Sequence, residues 1–258
     1  MFELFDFQFH LYGVILAGSL WVGFSLAQKI LHRERVSISS DSLFLWIVLC
    51  GVIGARAYHV FTDWSLYENL PLMALAIWEG GLGVVGAVIG GVIGMCVGLK
   101  RQKKLGELSK VLDAGFLVLP LSQAIGRWGN YFNQELYGRP TDLPWGVYIE
   151  PMYRVVQFKS FSHFHPLFLY ESILTLLLFG FLFFQFYIRK WRIGQYKIMG
   201  VYLMGYSIIR FSLEFLRTET AYFGNNSGFL SIMQWLMIVA FCSGLYFFFI
   251  YQHQQKYD

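Results

Sequence analysis

Apolar positions along the chain gather into seven long runs divided by shorter polar stretches: Leu11–Leu31, Ser42–Phe61, Ala74–Leu99, Val111–Phe132, Pro166–Ile188, Gly200–Phe215 and Phe229–Tyr251. A helix needs about 20 mostly apolar residues to cross the hydrocarbon core of a bilayer. The pattern therefore predicts an all-α integral membrane protein with seven transmembrane helices. Runs four, five and six carry polar residues at one end, so their boundaries are soft. The largest connection, residues 133–165, predicts a head segment between helices 4 and 5. Residues 1–258 read as a single membrane domain with no internal repeat and no low-complexity segment.

Composition supports the membrane reading. The chain is 56% hydrophobic and only 14% charged, with mean hydropathy +0.50, where a soluble domain carries roughly 25% charge. A net charge of +4 would point to nucleic acid if the basic residues clustered on a soluble face. They sit instead in short loops, so no nucleic-acid partner is expected. Lys29, Arg33 and Arg35 follow run one, Lys100, Arg101, Lys103, Lys104 and Lys110 follow run three, and Arg189, Lys190, Arg192 and Lys197 follow run five. The connections after runs two, four and six hold only Arg139, Arg154, Lys159 and Arg217. Lys/Arg excess marks cytoplasmic loops, which predicts an N-terminus outside, a C-terminus with Lys256 inside, and an extracytoplasmic head segment. Trp145, Tyr148 and Tyr153 of that segment suit the headgroup level. Residues 1–10 lack the basic start of a cleavable signal peptide, so the first run is expected to direct insertion. Cys50, Cys96 and Cys242 lie far apart in apolar runs without metal-ligand spacing, as packing residues do.

Candidate chemistry lies where polar groups interrupt the runs. Gly86, Gly90, Gly94 and Gly98 recur every fourth residue, which lets a neighbouring helix approach closely. The preceding Trp78-Glu79-Gly80-Gly81 would instead let backbone approach a bound headgroup. Ionisable residues inside the runs are few: Arg56, His59, Glu79, Arg127, Glu171, Arg210 and Glu214, with Arg217 just beyond. Each charge at membrane depth must pair, snorkel or meet an ionic ligand. Arg210, Glu214 and Arg217 share one helix face by spacing. Ion pairing alone could account for the glutamates, which stay open between a structural and a functional role, whereas Arg127 and Arg210 offer bidentate recognition of a phosphate. Tyr12 and Tyr206 are further candidates, since a buried phenol needs a partner.

The densest polar stretch is 126–140, where Arg127, Asn130, Asn133, Gln134 and Glu135 follow an apolar run. Gly126-Arg127-x-Gly129-Asn130-Tyr131-x-Asn133-x-Glu135-x-x-Gly138 resembles the signature of the prolipoprotein diacylglyceryl transferases. The resemblance extends through His10-Leu11-Tyr12-Gly13, Gly54-Ala55-Arg56, Trp78-Glu79-Gly80-Gly81, His165-Pro166 with Leu169-Tyr170-Glu171, and Gly205-Tyr206 with Arg210, Glu214 and Arg217. It covers nearly all of the chain, and seven spans with an outside N-terminus is the family topology.

The resemblance implies an enzyme of the bacterial plasma membrane. Its partners would be phosphatidylglycerol and preprolipoprotein signal peptides with a lipobox cysteine. The diacylglyceryl group would move to the cysteine thiol as a thioether, releasing glycerol 1-phosphate. Arg127 would bind the headgroup and Arg210 the leaving phosphate. Asn130, Glu135 and Gly138 would position the headgroup glycerol, and Tyr12 and Tyr206 would orient substrate or relay a proton. Glu171, Glu214, Arg217 and Arg56 would form supporting ion pairs. No metal or organic cofactor is called for. One departure stands out: where the family has His-Gly-Gly or Tyr-Gly-Gly, this chain reads Val85-Gly86-Ala87. Valine takes no proton, so the base is His10, His59 or a tyrosinate, or the arginine field alone activates the thiol, or the chemistry is impaired. A non-catalytic phospholipid-binding or transport homologue and a purely structural membrane partner are the alternatives from other classes.

Overall fold

The structure is a computed structural model and describes residues 2–4, 7–9, 11–68, 70–218 and 230–250. His10, Lys256 and both ends of the seventh run lie outside the described residues, as does the side chain of Glu79. The chain divides into two compact units, one formed by residues 32–108 and the other by 1–31 with 109–258.

The first unit holds α2 (Ser40–Thr62) and α3 (Val84–Arg101). The predicted glycine face is where they meet. A Cβ on Gly86 would strike the Gly54 carbonyl, on Gly90 that of Cys50, and on Gly94 that of Trp46. Only hydrogen at these positions lets the two backbones touch, so dispersion contacts run the length of the pair. Gln102 closes the far end, accepting from Ser39 N at 2.7 Å and donating to Ser39 O at 3.1 Å.

Helix α3 begins ten residues later than the run at Ala74 suggested. Two short 3₁₀ turns, Pro71–Leu75 and Ile77–Glu79, precede it, and Gly80 and Gly81 have φ of 89° and 69°. Left-handed glycines end regular helix. The carbonyls thereby freed point at Arg56, whose guanidinium donates to Met73 O (2.6 Å), Ala74 O (2.9 Å), Gly80 O (2.6 Å) and Gly81 O (3.1 Å). Among the described residues the Arg56 guanidinium is held by these main-chain carbonyls, with the Tyr67 ring 5.2 Å from Cζ. Gly81 packs against His59 and Arg56, so side chains of α2 occupy the space that the sequence suggested for a headgroup.

The second unit contains α1 (Leu11–Arg33, whose last two residues fall in the other unit), α4 (Leu108–Phe132), α5 (Leu167–Tyr187), α6 (Lys197–Glu214) and α7 (Ile232–Leu245). Two small antiparallel pairs join them: β1 (Phe2–Leu4) with β2 (Phe7–Phe9), and β3 (Val147–Tyr148) with β4 (His163–Phe164). Neither pair was anticipated from the apolar runs, although residues 2–9 do alternate in the period of a strand. The 133–165 segment has its own core of Tyr137, Ile149 and Phe164, with Val147, Val155 and Phe158 against it. Tyr137 Oη donates to Tyr153 O at 2.8 Å and accepts from Val155 N at 2.7 Å.

Among the described residues, six helical stretches are long and apolar enough to cross a membrane: Leu11–Arg33, Ser40–Thr62, Val84–Arg101, Leu105–Phe132, Leu167–Tyr187 and Ile232–Phe249. They leave large apolar side chains such as Trp21, Leu45, Val88, Phe181 and Val239 exposed, a surface suited to lipid and not to water. The chain is a multi-pass, all-α membrane protein. Helix α6 is not among the six, because Arg210 and Glu214 interrupt an already short apolar stretch.

The glycine face sets a sharp expectation. Gly90→Val should cost roughly 1–3 kcal/mol by overpacking, lowering the thermal unfolding midpoint in detergent by several degrees. Gly180→Ala, where a Cβ meets nothing within 4 Å, should leave it unchanged or raise it. Equal midpoints for Gly90→Val and the unaltered protein would refute this packing.

Candidate active site

Within the second unit, the C-terminal ends of α4 and α6 and the N-terminal end of α5 bring the predicted polar residues together. Arg127 on α4 donates through Nη2 to Glu171 Oε1 on α5 at 2.6 Å, and through Nη1 to Asn130 Oδ1 at 3.3 Å. Asn130, 5% exposed, passes the chain on from Nδ2 to Glu135 Oε1 at 2.9 Å. From α6, Tyr206 Oη donates to the same Glu171 Oε1 at 3.1 Å. One carboxylate oxygen therefore joins three helices. Its position is held locally: Thr175 Oγ1 donates to Glu171 O at 2.7 Å and Ser172 Oγ to Ala124 O at 2.8 Å.

The second cluster lies four residues further along α6. Arg210 Nη1 stands 2.8 Å from Glu214 Oε2, with side chains 8% and 4% exposed. Among the described residues Glu214 Oε2 receives no aligned hydrogen bond, so its pairing with Arg210 is Coulombic. Ser231 Oγ donates to Glu214 Oε1 at 3.1 Å while accepting from Gln234 N at 3.1 Å, so the capping box of α7 also steadies the end of α6. Arg217 Nη1 is 4.0 Å from Glu214 Oε2. Burial and the like charge of Arg210 hold the Arg217 guanidinium below the usual arginine value, and Arg127 acts on it in the same direction. Three guanidiniums stand against the buried carboxylates of Glu171 and Glu214, with the exposed carboxylate of Glu135 further out, and the arginines make the buried part of the site receptive to an anion.

The remaining expected residues find places around these clusters. Gly129 abuts the Tyr12 ring, where a Cβ would come within 2.6 Å of Cδ2. That contact sets Tyr12 against the helix that carries Arg127. Gly138 pairs with Arg217 as an isolated bridge and donates to His165 O at 2.9 Å. A Cβ there would approach Leu216 O at 2.9 Å, so the glycine lets the head segment lie along the end of α6. Arg56 lies in the other unit and joins neither cluster. There, His59 Nδ1 stands 3.1 Å from Asp63 Oδ2.

Some contributors gave little warning in the sequence. Asp113, fully buried on α4, accepts from Gly194 N (2.8 Å), Gln195 N (3.0 Å) and Met199 N (3.0 Å). The residue preceding α6, Tyr196, has φ of 54° and supplies no side-chain cap. Asp113 thus caps α6 from another helix, satisfying amides that a local Ser or Asp would usually take. Its only signal was a carboxylate in an apolar run. Ser231 was legible as Ser-x-x-Gln, the spacing of a capping box.

With this geometry the comparisons carry weight. The family model for prolipoprotein diacylglyceryl transferase matches residues 1–250. The chain belongs to the prolipoprotein diacylglyceryl transferase family. A phosphatidylglycerol–prolipoprotein diacylglyceryl transferase of Thermotoga petrophila is 36% identical over 87% of this chain and 76% of its own. One of Trichormus variabilis is 39% identical over 83% of this chain and 76% of its own. One of Synechococcus elongatus is 36% identical over 91% and 80%.

Because Asp113 answers three amides, Asp113→Ala should cost about 1–3 kcal/mol for each donor left dry, and Asp113→Asn less. Denaturation in detergent micelles measures this directly. An Asp113→Ala protein as stable as the parent would contradict the cap.

Proposed function

We propose that this protein transfers the diacylglyceryl group of phosphatidylglycerol to the thiol of a lipobox cysteine in a preprolipoprotein. What carries the reading is the pair of glutamate-held arginines, Arg127 with Glu171 and Arg210 with Glu214, in a chain of this family. The cysteine sulfur attacks the diacylglyceryl carbon bonded to phosphate oxygen. A C–S bond forms, the C–O bond breaks, and glycerol 1-phosphate leaves with the electron pair. The thiol proton ends on the released phosphate monoester oxygen or in water.

Each residue has a task in that step. Arg127 binds the phosphate of the incoming headgroup, held at one angle by Glu171. Arg210 neutralises charge growing on the leaving phosphate, where preorganised donors do most for the rate. Asn130 and Glu135 offer an amide and a carboxylate to the headgroup glycerol, next to Gly138. Tyr206, hydrogen-bonded to Glu171, and Tyr12, packed on Gly129, orient substrate or relay the proton. A cysteine thiol has an ordinary pKa of about 8.5, and a cationic surrounding lowers it, so the arginines themselves promote thiolate.

The distribution of Lys and Arg supports seven spans, with α6 the additional one, the N-terminus and residues 133–165 outside, and the C-terminus in the cytoplasm. The site would then face the outer leaflet, where a secreted precursor presents its cysteine. A second reading, lipid binding without chemistry, draws only on Val85.

A lipobox peptide incubated with the purified protein should gain the mass of a diacylglyceryl group only when phosphatidylglycerol is present. Arg127→Ala and Arg210→Ala should each lower turnover by about 100-fold or more. Wild-type activity in either variant, or no thioether at all, would overturn the assignment. Val85→His provides a separate measure. If the imidazole position limits the rate, turnover should rise by roughly 10²-fold, the lower end for general base catalysis. Unchanged turnover would mean that this chain activates the thiol by other groups.

A further inference from the structure

Beside the arginine clusters lies a cleft of about 270 Å³ between the end of α4 and the head segment. Its walls include Asn130, Gln134 and Glu135 on one side and Tyr148 with Ile149 on the other, over Phe168. The lining contains a carboxylate and amides but no Lys or Arg. That composition disfavours a phosphate, which the neighbouring guanidiniums already attract. Most of the lining is aromatic or aliphatic, but an acyl chain would leave Asn130, Gln134 and Glu135 facing hydrocarbon, whereas a peptide can bond to them.

Amide and carboxylate acceptors set among aromatic rings suit a short, extended piece of polypeptide. The cleft is continuous with the reacting centre, because Asn130 bonds Arg127 on one side and Glu135 on the other. Its far wall is fixed to the near one: Glu150 N donates to Gln134 Oε1 at 2.7 Å. Arg154, whose Cζ lies 5.4 Å from the Tyr148 ring centre, braces the ring from outside the cleft, and Tyr148 remains half exposed and reachable.

We propose that this cleft seats the residues that directly follow the substrate cysteine, and that Tyr148 and Gln134 set the affinity for the protein substrate. The assignment rests on the transferase reading above. With the cysteine at the arginines, the chain on its outer side leaves toward the head segment. Its backbone N–H groups meet the Gln134 carbonyl oxygen, and its side chains lie against Tyr148 and Phe168.

The test is steady-state kinetics of the full-length protein with phosphatidylglycerol vesicles and a synthetic lipobox peptide, varying each substrate in turn. Tyr148→Ala should raise KM for the peptide about tenfold, the equivalent of one lost aromatic contact of 1.4 kcal/mol, with KM for phosphatidylglycerol unmoved. Tyr148→Phe should keep most of the peptide affinity. As a readout that needs no turnover, a peptide with a benzophenone side chain directly after the cysteine should crosslink to residues 131–137 or 147–149. A higher KM for phosphatidylglycerol instead, unchanged KM for both substrates, or crosslinks only elsewhere would overturn the seat. Failure of the parent protein to modify any peptide would count against the transferase reading itself, separately from where a crosslink falls.

Discussion

One oxygen of Glu171 accepts from Arg127 at 2.6 Å and from Tyr206 at 3.1 Å, and the site depends on it. At membrane depth neither a guanidinium nor a carboxylate can be left to water, and breaking a buried pair costs about 3–5 kcal/mol. That cost keeps α4, α5 and α6 in one register at their polar ends. The Thr175 and Ser172 hydroxyls, bonded to main-chain carbonyls, hold the α5 turn that presents the carboxylate. At the other end of α4, Asp113 fixes the start of α6 through three amides. Helix α6 is therefore tied at both ends, and the residues between cannot slide without breaking one set of bonds.

The two arginine–glutamate pairs differ in a way that matters for chemistry. Arg127 has aligned hydrogen bonds on two nitrogens, whereas Arg210 has a close Coulombic neighbour in Glu214. A guanidinium committed to neutral and anionic acceptors is a rigid positioning group. One held by charge more than by directed bonds can turn its donors toward charge as it develops. This division matches the roles proposed for the headgroup and for the leaving phosphate. It also accounts for the carboxylates: each lowers the cost of burying its arginine and fixes where the remaining N–H groups point.

Glycine does two different kinds of work in the chain. Along α3 it removes volume, so that Gly86, Gly90 and Gly94 meet carbonyls of α2. At Gly80 and Gly81 it supplies left-handed backbone, which ends the preceding turns and exposes carbonyls to Arg56. Four fixed main-chain carbonyls thereby receive the Arg56 guanidinium, each dipole turning its oxygen toward the buried charge.

Much was decided by the sequence alone. The apolar runs specified membrane-crossing helices, because only a helix satisfies its own backbone in lipid. The isolated ionisable residues within them specified where chemistry lies, because each needs a partner or a ligand there. The signature around Arg127 specified the family. Tertiary structure decided the pairings. Spacing along α6 could suggest that Arg210 and Glu214 meet, but no spacing links Arg127 to Glu171 forty-four positions away, or Asp113 to amides past 190. It also decided that α3 starts at Val84, since the left-handed glycines and the carbonyl-seeking Arg56 outweigh a hydrophobic run. Local pattern reports what each segment prefers; which buried charge answers which depends on contacts made only when the helices pack.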